Sequence, residues 1–138
     1  MTRLERAVVE IAAAFESMRI DYMIVGGIAN AVWGEPRATI DVDVIFALLS
    51  FERDAVHRAT RVVFGDRDVR VVTPEDLLLM KIISDRPRDL ADAEALTRRR
   101  ADTLDRAYLE PRLREFAESL ERPEILTRWT QWCVPPAT

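Results

Sequence analysis

A four-residue apolar run, Tyr22-Met23-Ile24-Val25, stops at Gly26-Gly27, two of only four glycines in the chain. A short apolar run bounded by glycine reads as a buried strand entering a tight turn. Ile28 to Trp33, closed by Gly34 and followed by Pro36, reads as a short helix. A second strand is expected from Ala38 to about Ala47, with Asp41 and Asp43 interrupting apolar residues. Strand, diglycine, helix and strand in such close succession commit this end of the chain to a sheet covered by helices.

The remaining pattern agrees with that class. Leu4, Ala7, Val8, Ile11, Phe15 and Met18 recur every three or four residues, the period of an amphipathic helix. Phe51 to Thr60 also reads as helix. Arg61–Phe64 and Val69–Val72 flank Gly65-Asp66-Arg67-Asp68 and read as a hairpin. Thr73-Pro74-Glu75-Asp76 announces a helix, with a capping hydroxyl, proline at the first helical position and acids at the positive end of the dipole. That helix should end before Pro87, and another should run from about Arg88 to Arg99. Leu104–Leu120 and Pro123–Trp132 read as helices, with Pro111 marking a start or kink. The expected architecture is α/β (α+β), a small mixed sheet flanked by helices with a helical C-terminal third. With 138 residues, one domain over 1–138 is expected, since single domains span roughly 100–200 residues.

Composition narrows the functional classes. Hydrophobic residues make up 49% and charged residues 32%, which is globular composition. The single cysteine, Cys133, excludes a disulfide within the chain, and one histidine excludes a zinc site built from His and Cys. No apolar run reaches the length of a membrane span and no signal-peptide core is evident, so a cytoplasmic protein is expected. A net charge of -4 argues against a general electrostatic grip on nucleic acid. Among the 20 basic residues Lys81 is the one lysine. In an arginine-biased chain a retained lysine suggests a need for a compact ammonium able to approach phosphate.

Residues two apart on a strand share a face, so Asp41 and Asp43 project together, with Val42 and Val44 on the other side. Neighbouring carboxylates repel unless a cation lies between them, and all-oxygen ligands suit Mg²⁺ bound together with substrate phosphates. Glycines ahead of a helix let backbone amides approach phosphate. Each feature has a plainer reading: a solvated strand edge for the aspartates, an ordinary turn for the diglycine, and a surface arginine for Arg37. Order and spacing favour a metal–nucleotide site.

Gly26-Gly27, Gly34, Arg37, Thr39, Asp41 and Asp43 together resemble the motif of the nucleotidyltransferase superfamily with the DNA polymerase beta-like fold, especially its minimal prokaryotic members and AbiEii-type toxin relatives. Thr73-Pro74-Glu75-Asp76-Leu77, Lys81 and Arg86-Pro87-Arg88-Asp89-Leu90-Ala91-Asp92 resemble a second segment of that group. The resemblance implies that Gly26 and Gly27 turn the chain beneath a nucleoside triphosphate, with Arg37 and Thr39 beside it. It implies that Asp41 and Asp43 are catalytic and hold Mg²⁺ (or Mn²⁺), one ion activating the attacking hydroxyl and the other neutralising the leaving pyrophosphate. Lys81 would approach the phosphates, backed by a polar cluster of Arg88, Asp89 and Asp92. The latter three could equally be an ordinary helix start with local salt bridges.

The implied activity is transfer of a nucleoside monophosphate from ATP or another triphosphate to a hydroxyl of a protein or RNA acceptor. Members of the group usually carry a third carboxylate on a separate strand. Here Val44-Ile45-Phe46-Ala47-Leu48-Leu49 runs directly into Ser50-Phe51-Glu52-Arg53, as if a helix and a strand had been lost. Glu52, Asp66 and Asp68 are the nearest substitutes. A non-catalytic nucleotide-binding module, or an antitoxin-like partner in a toxin–antitoxin pair, is the alternative. An interaction domain offering an acidic strand to a basic partner is a third. A shortened sheet would leave Val44, Ile45, Phe46, Leu48 and Leu49 short of cover, so a homodimer is expected.

Overall fold

The computed structural model describes residues 1–35, 42–46 and 50–135. The chain is a mixed α/β protein, with seven helices and a four-stranded sheet among the described residues. It folds as two compact units, one formed by 1–32 with the described part of 36–73, the other by 33–35 and 74 onward.

The first unit opens with α1 (Arg3–Ser17), whose apolar stripe buries Val8 and Ala12. Thr2 and Glu5 close its N-terminus reciprocally: Glu5 N–H donates to Thr2 Oγ1 at 3.1 Å, and Thr2 N–H donates to the Glu5 carboxylate. Next come β1 (Tyr22–Val25), α2 (Gly26–Trp33), β2 (Asp43–Phe46), α3 (Ser50–Arg58), β3 (Thr60–Phe64) and β4 (Arg67–Val71). The sheet order is β2-β1-β4-β3. β1 runs antiparallel to β2, with Val25 opposite Asp43, and parallel to β4, with Ile24 opposite Val71. Val72 N–H donates to Ile24 O at 2.9 Å and extends that parallel pairing. All four β1 residues are buried, as a continuous apolar run at the centre of a sheet should be.

Two boundaries differ from the sequence pattern. The hairpin turn is Gly65-Asp66 rather than four residues, because Arg67 pairs with Phe64 and Asp68 with Val63. Gly65 at φ +63 supplies the positive φ that a two-residue hairpin loop needs at its first position. Arg67 and Asp68 look like turn residues in sequence only because their strand positions face solvent. β2 begins at Asp43; the earlier part of the expected strand, together with Arg37, Thr39 and Asp41, lies outside the described residues, as do Leu48 and Leu49. Val44 and Ile45 are half-buried.

The second unit is helical: α4 (Pro74–Ser84), α5 (Pro87–Arg99), α6 (Arg106–Ser119) and α7 (Glu124–Cys133). α4 ends at Asp85, whose φ of +59 leaves the helical region, and Arg86 is extended ahead of Pro87 as a residue before proline must be. Arg122 takes up the carbonyls left open at that end, donating to Ile82 O at 3.1 Å and Ile83 O at 3.2 Å. It also pairs with Asp85 at 2.8 Å, and Arg128 reaches the same carboxylate at 3.0 Å. α6 starts at Arg106 rather than Leu104 because the Asp105 side chain accepts from Tyr108 N–H at 3.1 Å and caps the helix there. Pro111 lies inside α6. Leu109 and Leu113 on α6 and Ile125, Trp129 and Trp132 on α7 are buried. Arg100 holds the short 33–35 segment in this unit through a 3.0 Å hydrogen bond to Trp33 O, its guanidinium 5.2 Å from the centre of the Trp33 ring. No helix among the described residues is long and apolar enough to cross a membrane.

Candidate functional site

Two groups of the expected site residues come together, one in each unit. In the first unit, the β1–β2 register sets Asp43 beside Val25, immediately before the glycine turn. Gly26 has φ +68, in the left-handed region. A Cβ built on Gly26 would lie 2.0 Å from Asp43 Oδ2, so the carboxylate occupies the space that any side chain at position 26 would need. Glycine is therefore required here twice over, for its φ and for its missing Cβ. Gly26 also opens α2, so the Asp43 carboxylate lies against the positive end of a helix.

Asp43 is exposed, and its carboxylate forms no hydrogen bond or ion pair with another described residue. Its oxygens are therefore available to a hard cation of the Mg²⁺ type, which binds through one or two carboxylates plus phosphates and water. Among the described residues no three His, Cys, Asp or Glu side chains are grouped closely enough to hold a metal by themselves. Asp41, the second expected ligand, is outside the described residues, as are Arg37 and Thr39. Gly27 follows Gly26 in the first turn of α2.

In the second unit Lys81 is 7% exposed and lies between two carboxylates. Its Nζ is 2.9 Å from Asp92 Oδ2 and 3.5 Å from Asp89 Oδ1. Asp89 and Asp92 are three residues apart on α5 and so share a face directed at α4. Asp89 has further partners: Ser84 Oγ donates to Oδ2 at 2.5 Å and Arg86 Nε at 2.8 Å. Burial alone would raise the Asp89 pKa, but these two hydrogen bonds and the Lys81 and Arg86 charges outweigh it and hold the carboxyl below its usual range.

Arg88 does not join this cluster. It is exposed, because one residue along a helix is a turn of about 100° away from the face that Asp89 presents. Arg86 and Ser84 take the place expected for it. The i, i+3 spacing of Arg86 and Asp89 is the signal in the sequence for the arginine; the Ser84 contact depends on the left-handed Asp85 and has no counterpart in the pattern.

A third polar contact has no forewarning in the sequence. Glu75 and Asp76 fit the first turn of a solvated helix, yet Asp76 is fully buried and Glu75 nearly so. Tyr108 from α6 donates its phenol hydrogen to Asp76 Oδ1 at 2.5 Å, satisfying a polar group that would be costly to bury alone. No family model matches this chain, and no curated protein matches it.

Proposed function

We propose that this chain is a metal-dependent, nucleotidyltransferase-like protein that transfers a nucleoside monophosphate from a nucleoside triphosphate to a hydroxyl of a protein or RNA. The observation that carries this reading is the Asp43 carboxylate lying over the left-handed Gly26 at the start of α2. That contact supports the reading, because a carboxylate suits a hard cation and a glycine turn ahead of a helix suits phosphate. The motif order supports the reading, and so does the second segment, where Lys81, Asp89 and Asp92 meet between α4 and α5.

In this reading Asp43, with Asp41, would hold Mg²⁺ or Mn²⁺, which when bound supplies charge neutralisation for the phosphates and a more acidic attacking hydroxyl. The opening of α2 would offer the phosphates backbone N–H donors, with the Asp43 carboxylate filling the space beside Gly26 where a cation would bridge acid and phosphate. Lys81 ties α4 to α5 through its two aspartates and thereby fixes the segment that follows the nucleotide site in the chain. A reducing cytoplasm is the setting this reading implies.

One observation favours the second reading, a non-catalytic nucleotide-binding or antitoxin-like module. Among the described residues β2 is followed directly by α3, with no strand between them to carry a third carboxylate. The experiment that separates the two readings uses triphosphate labelled at the α-phosphate, with Mg²⁺ or Mn²⁺ and candidate protein and RNA acceptors. Label transferred to an acceptor by the parent and not by Asp43→Asn supports the enzyme. Metal-dependent binding without transfer supports the inactive module, and no metal-dependent binding sinks both.

A further inference from the structure

α6 carries Arg106, Glu110, Arg114 and Glu118 at intervals of four, a ladder of alternating sign along one ridge. Neighbours at that spacing commonly pair with each other. Here none of the four forms an ion pair with another described residue, and all but the half-buried Glu110 are exposed. The first three line one wall of a cleft of about 480 Å³ whose other wall is α7. That side is apolar at Leu126 and at Val134, which follows α7 and is 57% exposed.

An alternating ladder is self-complementary. Two copies of α6 laid antiparallel about a two-fold axis that crosses this ridge midway between Glu110 and Arg114 place Arg106 opposite Glu118 and Glu110 opposite Arg114, every contact joining opposite charges. Ridges made by residues four apart interlock at a crossing angle of about 50°, the commonest helix packing in globular proteins. The surface therefore meets the condition for an isologous contact, the same patch complementing itself. Charge sets orientation and register, while the apolar wall provides area to bury.

We propose that the α6–α7 cleft is the self-association face of this protein and that its partner is a second copy of the chain, α6 against α6. The inference is independent of the nucleotide site.

Sedimentation velocity through the micromolar range tests it with two charge-swapped proteins. Arg106→Glu with Arg114→Glu makes the ladder wholly acidic, and Glu110→Arg with Glu118→Arg makes it wholly basic. The parent is expected to sediment as a dimer and each variant alone as a monomer, because like charges then face each other. Circular dichroism on each variant shows that it is folded. An equimolar mixture of the two variants is expected to return to dimer mass, since every contact is again between opposite charges. A monomeric parent, a variant that stays dimeric, or a mixture that stays monomeric overturns the proposal.

Discussion

The Asp43 carboxylate fills the space that a side chain on Gly26 would occupy, with Oδ2 2.0 Å from the ideal Cβ position. The start of β2 and the start of α2 thus control each other: β2 can present its acid there only because the residue that follows β1 is glycine. Gly26→Ala is expected to cost roughly 1–2 kcal/mol for the left-handed backbone alone, and more for displacing the carboxylate. Asp43→Ala removes the colliding carboxylate atoms, so the double variant should lose less stability than the two single losses added together. Urea denaturation of the four proteins measures this coupling. Simple additivity would show that the two residues do not share that space in solution.

Nucleotide binding at this turn should depend on metal. The Asp43 carboxylate beside Gly26 is negative, so it repels a triphosphate alone and a divalent cation reverses the sign. Thermal melts with millimolar Mg²⁺ or Mn²⁺ plus nucleoside triphosphate should therefore show stabilisation, about 2.7 kcal/mol when ligand reaches about 100 times its dissociation constant. Neither component alone should give the full shift, and Asp41→Asn with Asp43→Asn should remove the metal-dependent part. An unchanged melting curve for the parent argues against the site.

The sequence pattern and the structure agree where one periodicity governs a segment. Tyr22–Val25 is continuous apolar sequence and is buried throughout; the stripe from Leu4 to Met18 becomes α1; Pro74 and Pro87 each fall at a helix start. Agreement weakens where a residue's role depends on something distant in the chain. Asp76 has the composition of a solvated first turn, and only Tyr108, thirty-two residues later, makes its burial intelligible. Arg88 and Arg86 are chemically alike, and the helix phase set by Pro87 decides which of them meets Asp89. In the candidate site, the pairing of glycine with acid is legible as order, but the contact between Gly26 and Asp43 comes from the antiparallel β1–β2 register, which no local pattern specifies.

Acid should loosen the α4–α5 junction through Asp89. Its folded pKa lies below the ordinary value because Ser84, Arg86 and Lys81 favour the carboxylate over the opposing effect of burial. A depressed folded pKa contributes stability that is complete above the unfolded value, about 3.9, and is lost as pH falls through the lower folded value. Asp89→Asn should therefore be less stable than the parent near neutrality and show a shallower decline in acid. Melting temperatures of both proteins from neutral pH downward test this, and parallel curves would remove Asp89 from the acid response.

Lys81 offers the sharpest test of the second cluster because it is the one lysine in the chain. At 7% exposure, with its ammonium between Asp89 and Asp92, it should resist acylation in the native protein and react once the protein is unfolded in urea. Peptide mapping by mass spectrometry reads both states at that one position. Removing the charge has a defined cost as well. Lys81→Met leaves two largely buried carboxylates facing each other, and breaking such an ion pair costs about 3–5 kcal/mol. Arg86 and Ser84 still serve Asp89, so the lower end of that range is expected. Lys81→Arg keeps the charge but enlarges the head group in a filled space, which typically costs about 1–3 kcal/mol. The expected order of stability is parent, then Lys81→Arg, then Lys81→Met. Rapid acylation of the native protein that added triphosphate and Mg²⁺ suppress would reverse this picture, showing an ammonium open to phosphate and not one held between two aspartates.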